Sequence, residues 1–287
     1  MFMWKNIPES FESWRSAGTY ARTSKRLDIC AAQFAMLFHL SNKGDLTNKV
    51  CLEVGSGWVL SHAIVCYLLG AKHIFATDIF PNAHPATLKT AIHGAIPSVV
   101  RDTLAPFCDH EEIRERLDGL LAFDKFSFET LEDIGIEYIA PIDLARDNFD
   151  EKIDFIYSHS VLEHVPAEDI RSLLEKMVLI LNPSGYMIHT IHLEDHKNIE
   201  EKPFDFYSEP DEKYSRIVQS QRGNRIRKSQ WLNNFQLIDE LELKILYEFT
   251  RKKADIPPVI SPSLQYVDEN DLRVTHMGVL LLKKPGR

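Results

Sequence analysis

The stretch VCLEVGSGWVL, residues 50–60, decides how this chain is read. An apolar run ends near an acid, Glu53, and two glycines, Gly55 and Gly57, flank Ser56 before apolar residues resume. Glycine lacks a Cβ and a helix N-terminus offers free N–H groups, so such a turn lets a ligand approach the backbone. It would also serve as a plain bend between a core strand and a core helix, and the neighbouring segments must arbitrate.

Outward from the turn, KVCLEV, HIFATDI, EYIAPID, IDFIYSHS and YMIHTIHL alternate with helical stretches from about residue 50 to 192. That alternation is the pattern of parallel β-α-β units, and the nearly continuous apolar character of most strands implies burial on both faces. Residues 60–69 are apolar nearly all round and end at Gly70, which reads as a buried helix with a glycine cap. In AEDIRSLLEKMVLIL, apolar residues at Ile170, Leu173, Leu174, Met177, Val178 and Leu181 share one helix face, Glu168 and Asp169 suit its first turn, and NPSG stops it. LELKILYEF and THMGVLLLKK supply two last strands. The expected fold is α/β: a Rossmann-like seven-stranded mixed sheet, mostly parallel with an antiparallel last strand, and helices on both faces. It is expected to form one domain over residues 1–287.

Three regions fall outside the alternation. Residues 1–45 read as an N-terminal helical lid or cap, residues 83–134 as a crossover plus a helical insertion, and residues 197–235, polar and aromatic, as a substrate-side segment. Trp14, Tyr20, Phe204, Phe206 and Tyr207 lie in segments that could close over a site, and core packing accounts for Trp14 and Tyr20 almost as well.

In an open parallel sheet, ligands bind beyond the carboxyl ends of the strands. Strand two ends in Asp78, about 20 residues past the second glycine, where an acid can accept a ribose hydroxyl pair. A dinucleotide fingerprint would place a third glycine at position 60, and Leu60 there argues against a nicotinamide-dependent oxidoreductase. Strand three ends at Asp143, and strand four in SHSVLEHV.

With these pieces in place the sequence resembles the class I S-adenosylmethionine-dependent methyltransferases of small-molecule type. The resemblance rests on LEVGSGW, Asp78, IDLA, and the run FDFIYSHSVLEHVPAEDIRSLLEKMVLILNPSGYMI, and it covers about residues 48–192. It implies S-adenosylmethionine as cofactor, with Glu53, Gly55 and Gly57 along the methionine moiety, Asp78 on the ribose hydroxyls, Asp143 at the adenine amino group, and His159 and Ser160 lining the cofactor; Ser56, Ile79 and Leu144 join them as cofactor-binding residues.

A base is needed only if the acceptor must lose a proton. HTIHLEDH places His192, Asp195 and His196 just past strand five, where a histidine oriented by a carboxylate could serve an alcohol or phenol acceptor. His192 and His196 are also four residues apart, a spacing that suits metal ligands on a helix. They follow a strand, however, and no third ligand is evident, so no metal is expected. His164 reads as structural or cofactor-lining. Arg225, Arg227 and Lys228 form a basic patch for an anionic acceptor group or an ordinary solvated loop, with Ser229 capping the next helix.

With 287 residues, 44% hydrophobic and 26% charged, the chain has a globular composition, and its formal charge of -9 disfavours a nucleic-acid partner. No apolar run approaches the ~20 residues of a membrane span. The four cysteines, Cys30, Cys51, Cys66 and Cys108, show no zinc or disulfide spacing and read as free thiols. The expectation is a cytoplasmic enzyme, with a homodimer left open. It would methylate a small molecule, at the oxygen of a specialised metabolite or sugar, with N- or C-methylation and a non-catalytic cofactor-binding protein as the alternatives.

Overall fold

The computed structural model describes residues 27–123 and 126–284. Trp14 and Tyr20 therefore lie outside the described residues, as does most of the expected N-terminal cap. The chain divides into two compact units, Met1–Ile142 and Asp143–Arg287.

In the first unit, α1 (Leu27–Ser41) buries Leu27, Cys30, Ala31, Phe34, Leu37 and Phe38. Phe34 stacks on Phe38, and Phe38 meets Phe107 edge-on. β1 (Val50–Val54), α2 (Ser61–Leu68) and β2 (His73–Thr77) form the unit that contains the glycine turn. β1 and β2 pair in parallel from Val50 opposite His73 to Val54 opposite Thr77. Gly70, at φ 84°, ends α2 as its sequence suggests. The insertion after β2 is helical among the described residues: α3 (Pro85–His93), α4 (Pro97–Leu104), α5 (His110–Leu121) and α6 (Phe128–Glu132). Proline opens α3 and α4, where its missing N–H is not needed.

β3 (Ile136–Ile139) pairs in parallel with β2. It stops four residues before the expected end at Asp143. Pro141 offers no N–H to a ladder, so Asp143 stands on the loop that follows.

The second unit contains β4 (Ile153–His159), α7 (Ile170–Ile180), β5 (Leu181–His192), α8 (Arg216–Arg222), α9 (Lys228–Gln236), β6 (Leu241–Thr250), α10 (Glu269–Arg273) and β7 (Val274–Lys283). α7 buries the expected face, Ile170, Leu173, Leu174, Met177 and Val178. It ends at Ile180, just before NPSG. Leu181 already pairs with Ile153, and the register then shifts so that Tyr186 faces Phe155. NPSG thus forms an irregular stretch within β5 instead of the stop itself.

The strand order is β3-β2-β1-β4-β5-β7-β6 in one seven-stranded sheet. β7 runs antiparallel to both β5 and β6. This is the mixed α/β sheet expected from the sequence. No helix of the described residues is long and apolar enough to cross a membrane.

The aromatic residues of the expected substrate-side segment are core. Phe204, Phe206, Tyr207 and Tyr214 cluster with Leu264 and Leu272, and the Tyr207 hydroxyl donates to the Leu272 carbonyl at 2.8 Å. They anchor the segment and are not available as a lid.

Candidate functional site

The glycine turn of the first unit is fixed by its own backbone. The N–H groups of Gly55 and Ser56 both donate to the Thr77 carbonyl, at 2.9 and 2.8 Å, and the Thr77 hydroxyl donates back to the Glu53 carbonyl at 2.6 Å. Gly55 at φ 75° and Gly57 at φ 65° occupy the left-handed region that disfavours other residues. Among the described residues, a Cβ added to Gly57 would meet nothing within 4 Å, so the turn is open at that position. Position 60 is left-handed as well, at φ 45°, yet holds a leucine. The conformation costs roughly 1–2 kcal/mol, offset by the complete burial of Leu60.

Asp78 closes the turn. One carboxylate oxygen accepts the Gly57 N–H at 2.8 Å and the other the Phe80 N–H at 2.9 Å. A carboxylate has about four acceptor sites, so these bonds leave capacity for a hydroxyl donor. Burial pushes its pKa up, opposed by the N–H groups of Phe80, Gly57 and Ile79. Beside it Ile79 and Phe80 are large apolar residues left exposed, at 52% and 59%. The Tyr138 hydroxyl holds this loop, accepting from Ala83 N–H at 3.2 Å and donating to the Phe80 carbonyl at 3.3 Å. Glu53 is buried, with His62 Nδ1 3.6 Å from its carboxylate. Ser56 is also buried, and its Oγ has no hydrogen-bond partner among the described residues. An open glycine turn, an acid with spare acceptor sites and exposed apolar side chains fit an adenosyl group bearing a ribose.

In the second unit, Asp143 accepts the Ala145 N–H at 3.0 Å and pairs with Arg146 at 2.6 Å. Leu144 is buried. His159 Nδ1 lies 2.7 Å from the Thr190 hydroxyl, and Ser160, at φ 53°, donates its N–H to the Thr190 carbonyl.

The ends of β4, β5 and β7 bring five imidazoles into a chain of ring contacts. His159 meets His276, His276 meets His192, His192 meets His196 and His196 meets His164, with centroids 6.5, 5.3, 5.0 and 4.6 Å apart. His192 Nε2 sits 2.5 Å from Glu194 Oε2, and the other Glu194 oxygen meets Arg251 at 2.6 Å. The carboxylate that orients His192 is therefore Glu194 and not the expected Asp195. Asp195 is buried and accepts from Nε and Nη2 of Arg222, at 3.0 and 2.5 Å. Burial, with His164 and His192 nearby, pushes His196 down to about 3, which keeps it neutral and a weak proton acceptor near pH 7. Burial likewise lowers His276 to about 4.

The expected basic patch is dismantled. Arg227 is fully buried and donates to the carbonyls of Leu193 and Val274, both at 2.8 Å. Arg225 pairs with Asp211 at 3.0 Å and lies over the Tyr214 ring. Both arginines support the fold and neither offers itself to a substrate. Ser229 is the second residue of α9 instead of its cap, and its N–H donates to Asp271 at 3.0 Å. Glu163, Glu194 and His276 were not singled out in the sequence; each stands in a segment whose strand or motif was recognised, but nothing local indicates that they converge.

A methyltransferase-domain family model matches residues 30–240. No curated protein matches the sequence. Among solved structures, the YcgJ protein of Bacillus subtilis superposes with a TM-score of 0.47 at 11% identity, covering 88% of this chain and 100% of that one. Magnesium protoporphyrin IX methyltransferase of Synechocystis, solved with bound SAH, gives 0.47 at 11%, over 96% and 95%. The N-methyltransferase NodS of Bradyrhizobium japonicum, also with SAH, gives 0.41 at 13%, over 95% and 98%. The match over most of its length places this chain in the methyltransferase-domain family, and it is an S-adenosylmethionine-dependent methyltransferase of class I.

Proposed function

We propose that the protein methylates a hydroxyl group of a small molecule. The observation that carries this reading is His192 held by Glu194 at 2.5 Å, in a row of imidazoles at the ends of β4, β5 and β7. A hydroxyl is a poor nucleophile until its proton is taken, and a histidine fixed in one tautomer by a carboxylate is suited to take it.

When bound, S-adenosylmethionine supplies the electrophilic methyl group. In the first unit, Gly55, Ser56 and Gly57 leave room for it, Asp78 accepts ribose hydroxyls on its spare sites, and Ile79 and Phe80 give the adenine an apolar face. Glu53 stands at the base of the turn for the methionine end. In the second unit, Asp143 and Leu144 are assigned to the adenine and His159 and Ser160 to the pocket lining. His192 takes the acceptor's proton, Glu194 orients it, and His196 receives a hydrogen bond.

The acceptor is expected to be a specialised metabolite or a sugar. A panel of phenols, alcohols, amines and activated carbons, read by product mass spectrometry, tests this. Methyl gain on oxygen, abolished in His192→Asn, supports the reading, and methyl gain on nitrogen or carbon with wild-type rate in that variant overturns it.

A further inference from the structure

The histidine row contains a second arrangement that proton abstraction does not use. Glu163 sits in the short 3-10 turn Leu162–His164 at 1% exposure, and its carbonyl is pinned by the Asn224 N–H at 2.7 Å. His192 ends β5, and His196 follows on a loop tied to the same region by its N–H on the Arg222 carbonyl at 3.2 Å. One ligand atom from each of Glu163, His192 and His196 lies within 4.8 Å of the others. His196 Nε2 is buried with no hydrogen-bond partner among the described residues. A buried ring nitrogen in that state is costly unless a ligand takes it up.

We propose that Glu163, His192 and His196 bind a divalent transition-metal cation, Zn²⁺ by preference, with a coordination position left open toward the acceptor. Two imidazoles and one carboxylate suit a borderline cation, whereas Mg²⁺ demands oxygen ligands. Three protein ligands with one open position is the arrangement of reactive zinc sites. Glu194 on one nitrogen of His192 leaves the other for the ion, and a carboxylate so placed fixes a ligand's orientation and basicity. Zn–N and Zn–O bonds of about 2.0–2.2 Å require the three ligand atoms close around one centre, which atoms all within 4.8 Å of one another permit. The proposal rests on the reading above only in placing the acceptor here. In the ion-free protein His192 is the proton acceptor; in the loaded protein its ring would be a ligand, the cation would make the hydroxyl acidic, and the proton would leave to solvent water.

The test uses tag-free, full-length protein stripped with a chelator and titrated by calorimetry with Zn²⁺ and, separately, Mg²⁺, without cofactor or acceptor. Expected is one Zn²⁺ per chain, with Mg²⁺ at least ~100-fold weaker. Glu163→Gln and His196→Asn should each abolish stoichiometric binding, and Glu194→Gln should weaken it by about 10–100-fold. His276→Asn, outside the ligand set, should bind as wild type, and thermal melts establish that each variant is folded. No stoichiometric binding, or binding that survives in a folded Glu163→Gln/His196→Asn double variant, overturns the site. Failure here leaves hydroxyl methylation standing on the acceptor panel. Conversely, Zn²⁺ binding by a protein that methylates only nitrogen or carbon removes the functional reading and keeps the site.

Discussion

The glycine turn and the histidine row are the two chemically distinctive regions of the molecule, and they are built in different ways. The turn is local: residues 53–60 and the end of β2 form a closed hydrogen-bond circuit through Thr77 and Asp78. The row is assembled from four chain segments spread between His159 and His276, none of which carries a motif for it. A backbone-coded site can be read from one short stretch, while a side-chain-coded site needs the fold first. On the function proposed above, cofactor chemistry falls on the part that sequence discloses, and acceptor chemistry on the part it conceals.

The sharpest way to break this comparison is to silence one region and leave the other intact. His192→Asn should lower turnover by about 10²–10⁴-fold, the range for loss of a positioned acid or base, with cofactor affinity unchanged by calorimetry. A variant with wild-type turnover would leave the row without a catalytic role. Next in size, Arg227→Leu should destabilise the fold by roughly 2–4 kcal/mol, because two buried carbonyls lose their donors. Chemical denaturation measures it, and a stable variant with impaired acceptor binding would return Arg227 to the substrate.

How much of this was legible follows the same divide. The strands and the turn are legible in continuous apolar runs and glycine placement, both of which act through the backbone, whereas the order of the strands emerges only in the fold. Arg225 and Arg227 were misread because a run of basic residues looks solvated in sequence, while their guanidinium groups satisfy carbonyls and Asp211 inside the unit. Asp195 and Glu194 are adjacent acids, and only the path after β5, set by the Leu193 N–H on the Thr275 carbonyl and the Asp195 N–H on the Pro203 carbonyl, decides which meets His192. Glu163 is the third metal-type ligand that spacing alone could not supply.

Asp78→Ala tests the turn in turn. It should weaken S-adenosylhomocysteine binding by roughly 1.5–3 kcal/mol, the scale of a hydrogen bond to a charged group, and unchanged affinity in calorimetry would remove Asp78 from the ribose site. The smallest effect is a pH slope from outside both regions. His189 is fully buried beside the Ser158 hydroxyl at 2.8 Å, and burial lowers its pKa to about 3. The unfolded chain binds the proton more readily, so the stability of the neutral form is complete above about pH 6.5 and is lost as pH falls toward 3, by ~1.4 kcal/mol per unit. Denaturation series between pH 7 and 5 should show a shallower slope in His189→Gln, and an identical slope would mean that His189 does not titrate on unfolding.

The central claim is that the glycine turn is a cofactor site and not merely a bend, and calorimetric titration of the purified protein with S-adenosylhomocysteine, and separately with NADH, tests it most directly. Micromolar binding of S-adenosylhomocysteine alone is expected. Binding of NADH in its place, or of neither, would contradict it.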